Sequence, residues 1–448
     1  MILPFRARCV SLFITSLTFL HSGGISVLLA APAQEKWVTV WAASVQGPYP
    51  SGNASAQPNL SFVFDSPSTG AREQSFRLIV RPDLWEKQVR FRFSNAMGIR
   101  PVNFDGAYVG LQLSGGAIVP GTNRPILFED KPAVSISPGE SKWSDPVELA
   151  FVRDPSAVQL QGRKLAVSFH IVGESGPMTW HAKALTTSYI TASGAGSKGR
   201  EESEASFPFP TTSWYFLDAI DMMAPAATRV IVAFGDSITD GTASTMNGDD
   251  RWPDVLSRRL HAAYGRRVAT VNAGIGGNRV LGPTEYSPQK PFSGGPSAGA
   301  RLERDVLSLS GVSAVIWLEG INDFSTNANA SVTSVQTGMT EIVKHIRAAI
   351  PGVRIIGATL TSALGATGAH GSREEDQKRK ALNDFIRSGG LFDGVADFDK
   401  ATLDPQTGGI LPSFVPESTT GGPGDKLHPN RLGYLAMGMA IDLRLLMP

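Results

Sequence analysis

Three side chains, far apart in the chain, have the types needed for acyl transfer: Ser237, His428 and Asp425. A serine hydroxyl is a weak nucleophile until a base removes its proton during attack. Neutral imidazole suits that task, and a carboxylate on its second nitrogen fixes the tautomer and stabilises the imidazolium. Asp425 and His428 stand three apart in "DKLHPN" (425–430), a loop held by Pro429. A turn there brings a carboxylate oxygen to Nδ1 and leaves Nε2 for Ser237. The tetrahedral intermediate also needs donors aimed at its oxyanion. Ser237 offers its own N–H, Gly277 in "NAGIGGNRV" (272–280) an N–H with no side chain in the way, and Asn322 in "EGINDF" (319–324) a side-chain amide.

Taken singly, each residue has a plainer reading. Ser237, in "RVIVAFGDSITDG" (229–241), is a natural helix cap. Asn322-Asp323 reads as a turn. Gly277 reads as loop punctuation, and His428 as a surface histidine ahead of a proline. The joint arrangement outweighs these readings, because four separate pieces fall in the right loops with the residue types the reaction requires.

The elements that must position them follow from periodicity. After Arg229, apolar runs at 230–234, 268–272, 314–318, 353–360 and 394–398 predict strands buried on both faces. Helical patterns lie between them. The clearest, 331–350, places Val332, Val335, Met339, Ile342, Val343 and Ile346 on one stripe. A last helix opening at Pro429 is expected to turn Leu432, Leu435, Met439, Leu443 and Leu446 inward. This alternation predicts an α/β fold, a three-layer doubly wound parallel sheet over residues 229–448, with its site at the carboxyl ends of the strands. From Trp37 to about Ala219 short segments alternate apolar and polar residues between turns, which predicts an antiparallel β-sandwich or jelly roll over residues 34–220. Residues 193–210 read as a flexible stretch and 221–228 as a linker.

The motif set resembles the SGNH hydrolases, also called the GDSL esterase/lipase family, whose four blocks carry Ser, Gly, Asn and Asp-x-x-His. On that resemblance Ser237 matches the nucleophile, Gly277 and Asn322 the oxyanion-hole positions, and Asp425 and His428 the last block. Gly277 is preferred to Gly274 and Gly276 because "NAGIGGN" lines up with the family's Asn-x-x-x-x-Gly-[Asp/Asn] pattern. The likeness covers roughly residues 229–448 and implies an SGNH/flavodoxin-like fold and an esterase. The N-terminal half looks like the β-domain that precedes the hydrolase domain in some bacterial members, including carbohydrate esterases.

Composition narrows the rest. A formal net charge of +1 gives no long-range attraction to nucleic acid or anionic lipid. Arg6 and Arg8 ahead of the apolar run "CVSLFITSLTFL", with small residues at Ala31 and Ala33, read as a signal peptide over residues 1–33. That predicts a secreted or periplasmic protein without a membrane anchor, and Cys9, the single cysteine, leaves with the leader. No His/Cys/Glu cluster has metal-ligand spacing, so neither metal nor cofactor is expected. Asn53, Asn59 and Asn329 head Asn-x-Ser sequons, which matter only in a eukaryotic host. Arg279 and Arg301 are candidates to line the cleft, His370 is the other candidate base in this half, and His181 receives no role. The expected substrate is a small-molecule or polysaccharide ester with a short acyl group such as acetyl. Two alternatives stay open: a glycan-binding protein with a non-catalytic second domain, and an acyltransferase using the same residues.

Overall fold

The computed structural model describes Met1 and residues 34–447; the leader expected over residues 1–33 lies outside the described residues, Met1 apart. The first half is built from β1 (Glu35–Ala42), β2 (Arg72–Val80), β3 (Gln88–Ser94), β4 (Val102–Ser114), β5 (Leu165–Glu174) and β6 (Leu217–Pro225), with shorter strands between. One antiparallel sheet runs β1-β6-β3; a second places β5 between β2 and β4. Aromatic side chains join the two. Phe93 of β3 meets Phe104 of β4 and Phe169 of β5 with ring centroids 5.4 and 5.3 Å apart. Such pairs add to the burial of large apolar area that holds the sheets together.

Two expectations change here. The stretch 193–210 is tied down by the buried guanidinium of Arg77, which donates to Gly116 O (2.8 Å), Ser203 O (3.0 Å) and Glu201 O. An arginine offers five donors, enough to order a polar segment without a hydrophobic face. The strand β6 also runs on through Pro225, into the residues read as a linker, because Asp221, Met222, Met223, Ala224 and Pro225 pair with β1.

In the second half β7 (Arg229–Gly235), β8 (Val268–Gly274), β9 (Val312–Leu318), β10 (Arg354–Ala358) and β11 (Gly394–Ala396) form a parallel sheet in the order β8-β7-β9-β10-β11. The chain reverses direction across the sheet at β7. In open α/β sheets the crevice beyond the carboxyl ends at such a point is where ligands bind. The helices used below are α1 (Ser237–Asp240), α2 (Trp252–Tyr264), α3 (Ile321–Phe324), α4 (Val332–Ala349), α5 (Arg373–Ser388) and α6 (Arg431–Ala440). The stripe predicted for α4 is buried at Val335, Met339, Ile342, Val343 and Ile346, and the Ser331 hydroxyl caps the helix.

The final helix turns the other way. Leu432, Leu435 and Met439 are exposed, while Gly433, Tyr434, Met437 and Gly438 face inward, and Leu446 is buried after the helix ends. Close approach decides it: a Cβ on Gly438 would stand 2.5 Å from Val255 Cβ of α2. Small residues let the two backbones come together, and the leucines are left outside.

The two sheet systems belong to one compact unit, Glu35–Pro448. Thr39 of β1 exchanges hydrogen bonds with Ser310 (N to O 2.9 Å; Ser310 N to Oγ1 2.8 Å). Asp83 accepts from Thr270 N (2.7 Å) and pairs with His261 Nε2 of α2 (2.9 Å). No described helix is long and apolar enough to cross a membrane.

Candidate active site

The strand β7 ends on Gly235, where a Cβ would lie 2.2 Å from Leu318 O of β9, so only glycine lets the chain leave the sheet there. Asp236 then caps α1 by accepting from Ile238 N (2.9 Å). The cap that Ser237 was a candidate for is therefore Asp236, and Ser237 is the first helical residue with its hydroxyl free to point elsewhere. Its N–H has no intrahelical acceptor at that position.

The hydroxyl points at His428. Ser237 Oγ lies 2.8 Å from Nε2, and Nδ1 lies 2.6 Å from Asp425 Oδ2. The other carboxylate oxygen, Oδ1, accepts from the backbone N–H of Leu427 and His428, both at 2.9 Å. Burial would raise the Asp425 pKa, but the hydrogen bond to His428, its charge and the two backbone donors hold the carboxyl well below the usual range. The acid stays ionised, and it orients the ring.

Gly277 and Asn322 arrive from the next two loops. Asn322 Nδ2 donates to Asn278 O (2.9 Å), and its Oδ1 is 3.1 Å from His370 Nε2. A ring N–H donating to Oδ1 fixes which end of the amide is nitrogen. His370, the alternative base, thus stands beside the asparagine instead of the serine. Burial first, and the nearby His428, lower its pKa. Asp323 grips the same loop by accepting from Val280 N and Leu281 N, both at 2.9 Å.

Several residues here had no clear signal in the sequence. Arg301 does not line the cleft. It is fully buried and donates to Gly235 O (2.8 Å), Ala273 O (2.7 Å) and Asn278 Oδ1 (2.7 Å), which staples the ends of β7 and β8 to the Gly277 loop. Backbone carbonyls at buried strand ends need donors, and a guanidinium supplies several at once. Asp240 accepts from Gly276 N (2.9 Å) and lies 3.2 Å from His181 Nε2. Asp240 and Asp323 sit inside the quoted motifs, so their types were visible. Their partners were not.

Glu319 and Asp323 are buried acids close enough to Asp236 for their charges to act on it. Burial, backed by the Asp323 charge, pushes Glu319 up to about 7, and burial pushes Asp323 up to about 6. A groove of about 430 Å³ is lined by Ile410, Pro412, Val415 and Pro423 of the glycine-rich 407–424 loop, with Leu364 and Lys426. Among the described residues no group of three His, Cys, Asp or Glu side chains is arranged to hold a metal ion.

This arrangement can activate a hydroxyl, shuttle its proton and face an oxyanion. Residues 233–436 match the GDSL-like lipase/acylhydrolase family. No curated protein matches the chain. Among solved structures the chain is similar to Est24, a carbohydrate acetylesterase from Sinorhizobium meliloti (14% identity, 48% of this chain, 96% of that one, TM-score 0.35). It is also similar to a putative arylesterase from Agrobacterium tumefaciens (18%, 48%, 96%, TM-score 0.36) and a lipase/acylhydrolase from Enterococcus faecalis (22%, 48%, 93%, TM-score 0.36). Nothing about substrate follows from likeness at this level. The chain carries, over residues 233–436, a GDSL-like lipase/acylhydrolase domain, that of a carboxylic ester hydrolase.

Proposed function

We propose that the protein is an exported serine esterase that removes short acyl groups, acetyl above all, from an alcohol carried by a carbohydrate. The observation that carries the reading is the continuous relay Ser237–His428–Asp425, with contacts of 2.8 and 2.6 Å. Ser237 Oγ attacks the acyl carbon while His428 Nε2 takes its proton. Asp425 holds Nδ1–H and stabilises the imidazolium without accepting the proton. Charge developing on the carbonyl oxygen meets the N–H groups of Ser237 and Gly277 and the second amide hydrogen of Asn322. Each such donor contributes about 3 kcal/mol to the barrier reduction. His428 then protonates the leaving alkoxide, and the alcohol departs. Water enters, gives His428 a proton, and attacks the acyl-enzyme. Collapse of the second intermediate frees the carboxylic acid and restores Ser237.

The acetyl and carbohydrate parts rest on the family resemblance and on the antiparallel β-domain ahead of the hydrolase domain. Export rests on Arg6, Arg8 and the apolar run before Ala31 and Ala33. Replacing Ser237 with Ala is expected to lower kcat on p-nitrophenyl acetate by at least ~10⁴-fold and to abolish fluorophosphonate labelling. Hydrolysis by Ser237→Ala at the wild-type rate overturns the reading. Release of acetate from an acetylated polysaccharide, against esters of longer chains, tests the substrate class.

A further inference from the structure

The glycine pair Gly276-Gly277 is contacted by Asn53 and Lys183 of the N-terminal β-domain, besides Asp240 and the Gly294 backbone of the hydrolase half. Asn53 Nδ2 donates to Gly276 O at 2.7 Å, and Gln46 Nε2 reaches the same oxygen at 3.3 Å and Ser293 O at 2.6 Å. A Cβ on Gly277 would come within 2.7 Å of Asn53 Nδ2, and its φ of +85° is one that side chains disfavour. A Cβ on Gly276 would stand 3.2 Å from both Asn53 Cβ and Lys183 Nζ. Lys183, itself buried, donates to Thr242 Oγ1 just past α1. His181 contacts Ser44 O through Nδ1 (2.7 Å) and Asp240 Oδ1 through Nε2 (3.2 Å), while Asp240 Oδ2 accepts from Gly276 N. Residue Gly276 is thus held at its N–H by Asp240 and at its carbonyl by Asn53.

That carbonyl belongs to the same planar peptide unit as the Gly277 N–H. Fixing the oxygen therefore fixes the direction in which the hydrogen points. We propose that Asn53, seconded by Gln46, is a positioning residue of the hydrolase site, and that the β-domain completes the oxyanion hole by aiming the Gly277 N–H. The inference rests on the esterase reading above. It also gives Asn53 a function unrelated to its sequon.

The test uses the full chain with p-nitrophenyl acetate. Asn53→Asp keeps the side-chain volume but replaces the donor with a charged acceptor facing Gly276 O. It is expected to lower kcat by roughly 10- to 100-fold with KM within about twofold, and Asn53→Ala by somewhat less, since a misaimed donor loses transition-state stabilisation and not ground-state binding. Affinity for a boronic acid that mimics the tetrahedral intermediate falls in parallel. A side chain that merely fills space predicts the reverse pattern, with wild-type kcat in the isosteric Asn53→Asp variant at temperatures well below its melting point. That result overturns the proposal. Should Asn53→Asp melt below the assay temperature, Asn53→Ala decides on the same kcat criterion. A wild-type protein that neither hydrolyses esters nor labels with fluorophosphonate refutes the esterase reading instead.

Discussion

Asp425 divides its work between two oxygens, Oδ2 for the imidazole and Oδ1 for two backbone N–H groups. The backbone contacts survive in Asp425→Asn if the amide turns its oxygen toward them, but its NH₂ then faces Nδ1 and favours the wrong tautomer. That variant is expected to fold normally and lose about 10⁴-fold in kcat, the scale known for a carboxylate that sets a catalytic tautomer. Asn322 shows the same logic one step out. His370 Nε2 at 3.1 Å and Asn278 O at 2.9 Å define both ends of its amide. With His370→Ala the amide loses its Oδ1 partner and is held at Asn278 O alone, and kcat is expected to fall roughly 10- to 100-fold with little change in KM, measured by steady-state kinetics. If His370 were the base instead, its loss would match that of Ser237→Ala, and His428→Ala would be mild.

Elements in this protein are held by close backbone approach as much as by apolar stripes. The approach of α6 to α2 is an example, with Gly438 and Val255 in contact and the leucines of α6 outside. Gly438→Ala forces a methyl group into that contact and is expected to cost about 1–3 kcal/mol of stability. Leu435→Ala, on the exposed face of the same helix, is expected to cost less than about 0.5 kcal/mol. Urea denaturation of the two variants gives the comparison directly. A helical stripe of leucines is normally the buried one, and here the order is inverted because a glycine-lined face packs closer than a leucine-lined one.

Across the whole molecule the buried acids set a pH profile. Glu319, pushed up to about 7 by burial and the Asp323 charge, and Asp323, pushed up to about 6 by burial, both bind protons more tightly folded than unfolded. Burial works against the charge on His261, but the hydrogen bond and charge of Asp83 outweigh it and raise its pKa. Raised folded-state values contribute stability below the unfolded pKa that is lost as pH rises through the folded one. Asp425 and Asp83 are lowered, so their contribution is lost only as pH falls below the ordinary carboxylate range. The stability maximum is therefore expected between about pH 4 and pH 6, with melting temperature declining toward pH 8. Glu319→Gln keeps the acceptor for Trp317 Nε1 and should flatten that decline. A melting temperature that rises from pH 5 to pH 8 would contradict the assignment. The β-domain contacts carry a second expectation at this scale: residues 229–448 expressed alone should show far less than the full chain's esterase activity.

Local periodicity and short motifs made the α/β half readable: strand–helix alternation gave the parallel sheet, and "GDS", "NAGIGGN", "GIND" and "DKLH" marked the loops at one sheet edge. The antiparallel character of the first half was readable for the same reason, since side chains alternate along each strand. Tertiary structure alone decided which residue caps α1, which face of α6 is buried, that Arg301 staples strand ends, and that His370 serves Asn322. It alone decided that Asn53 sits on Gly276, a partner 223 positions away. A period of two or 3.6 records only how neighbours along one element share a face. A hydrogen bond between distant segments leaves no such trace, because its two halves are ordinary residues until the fold brings them together.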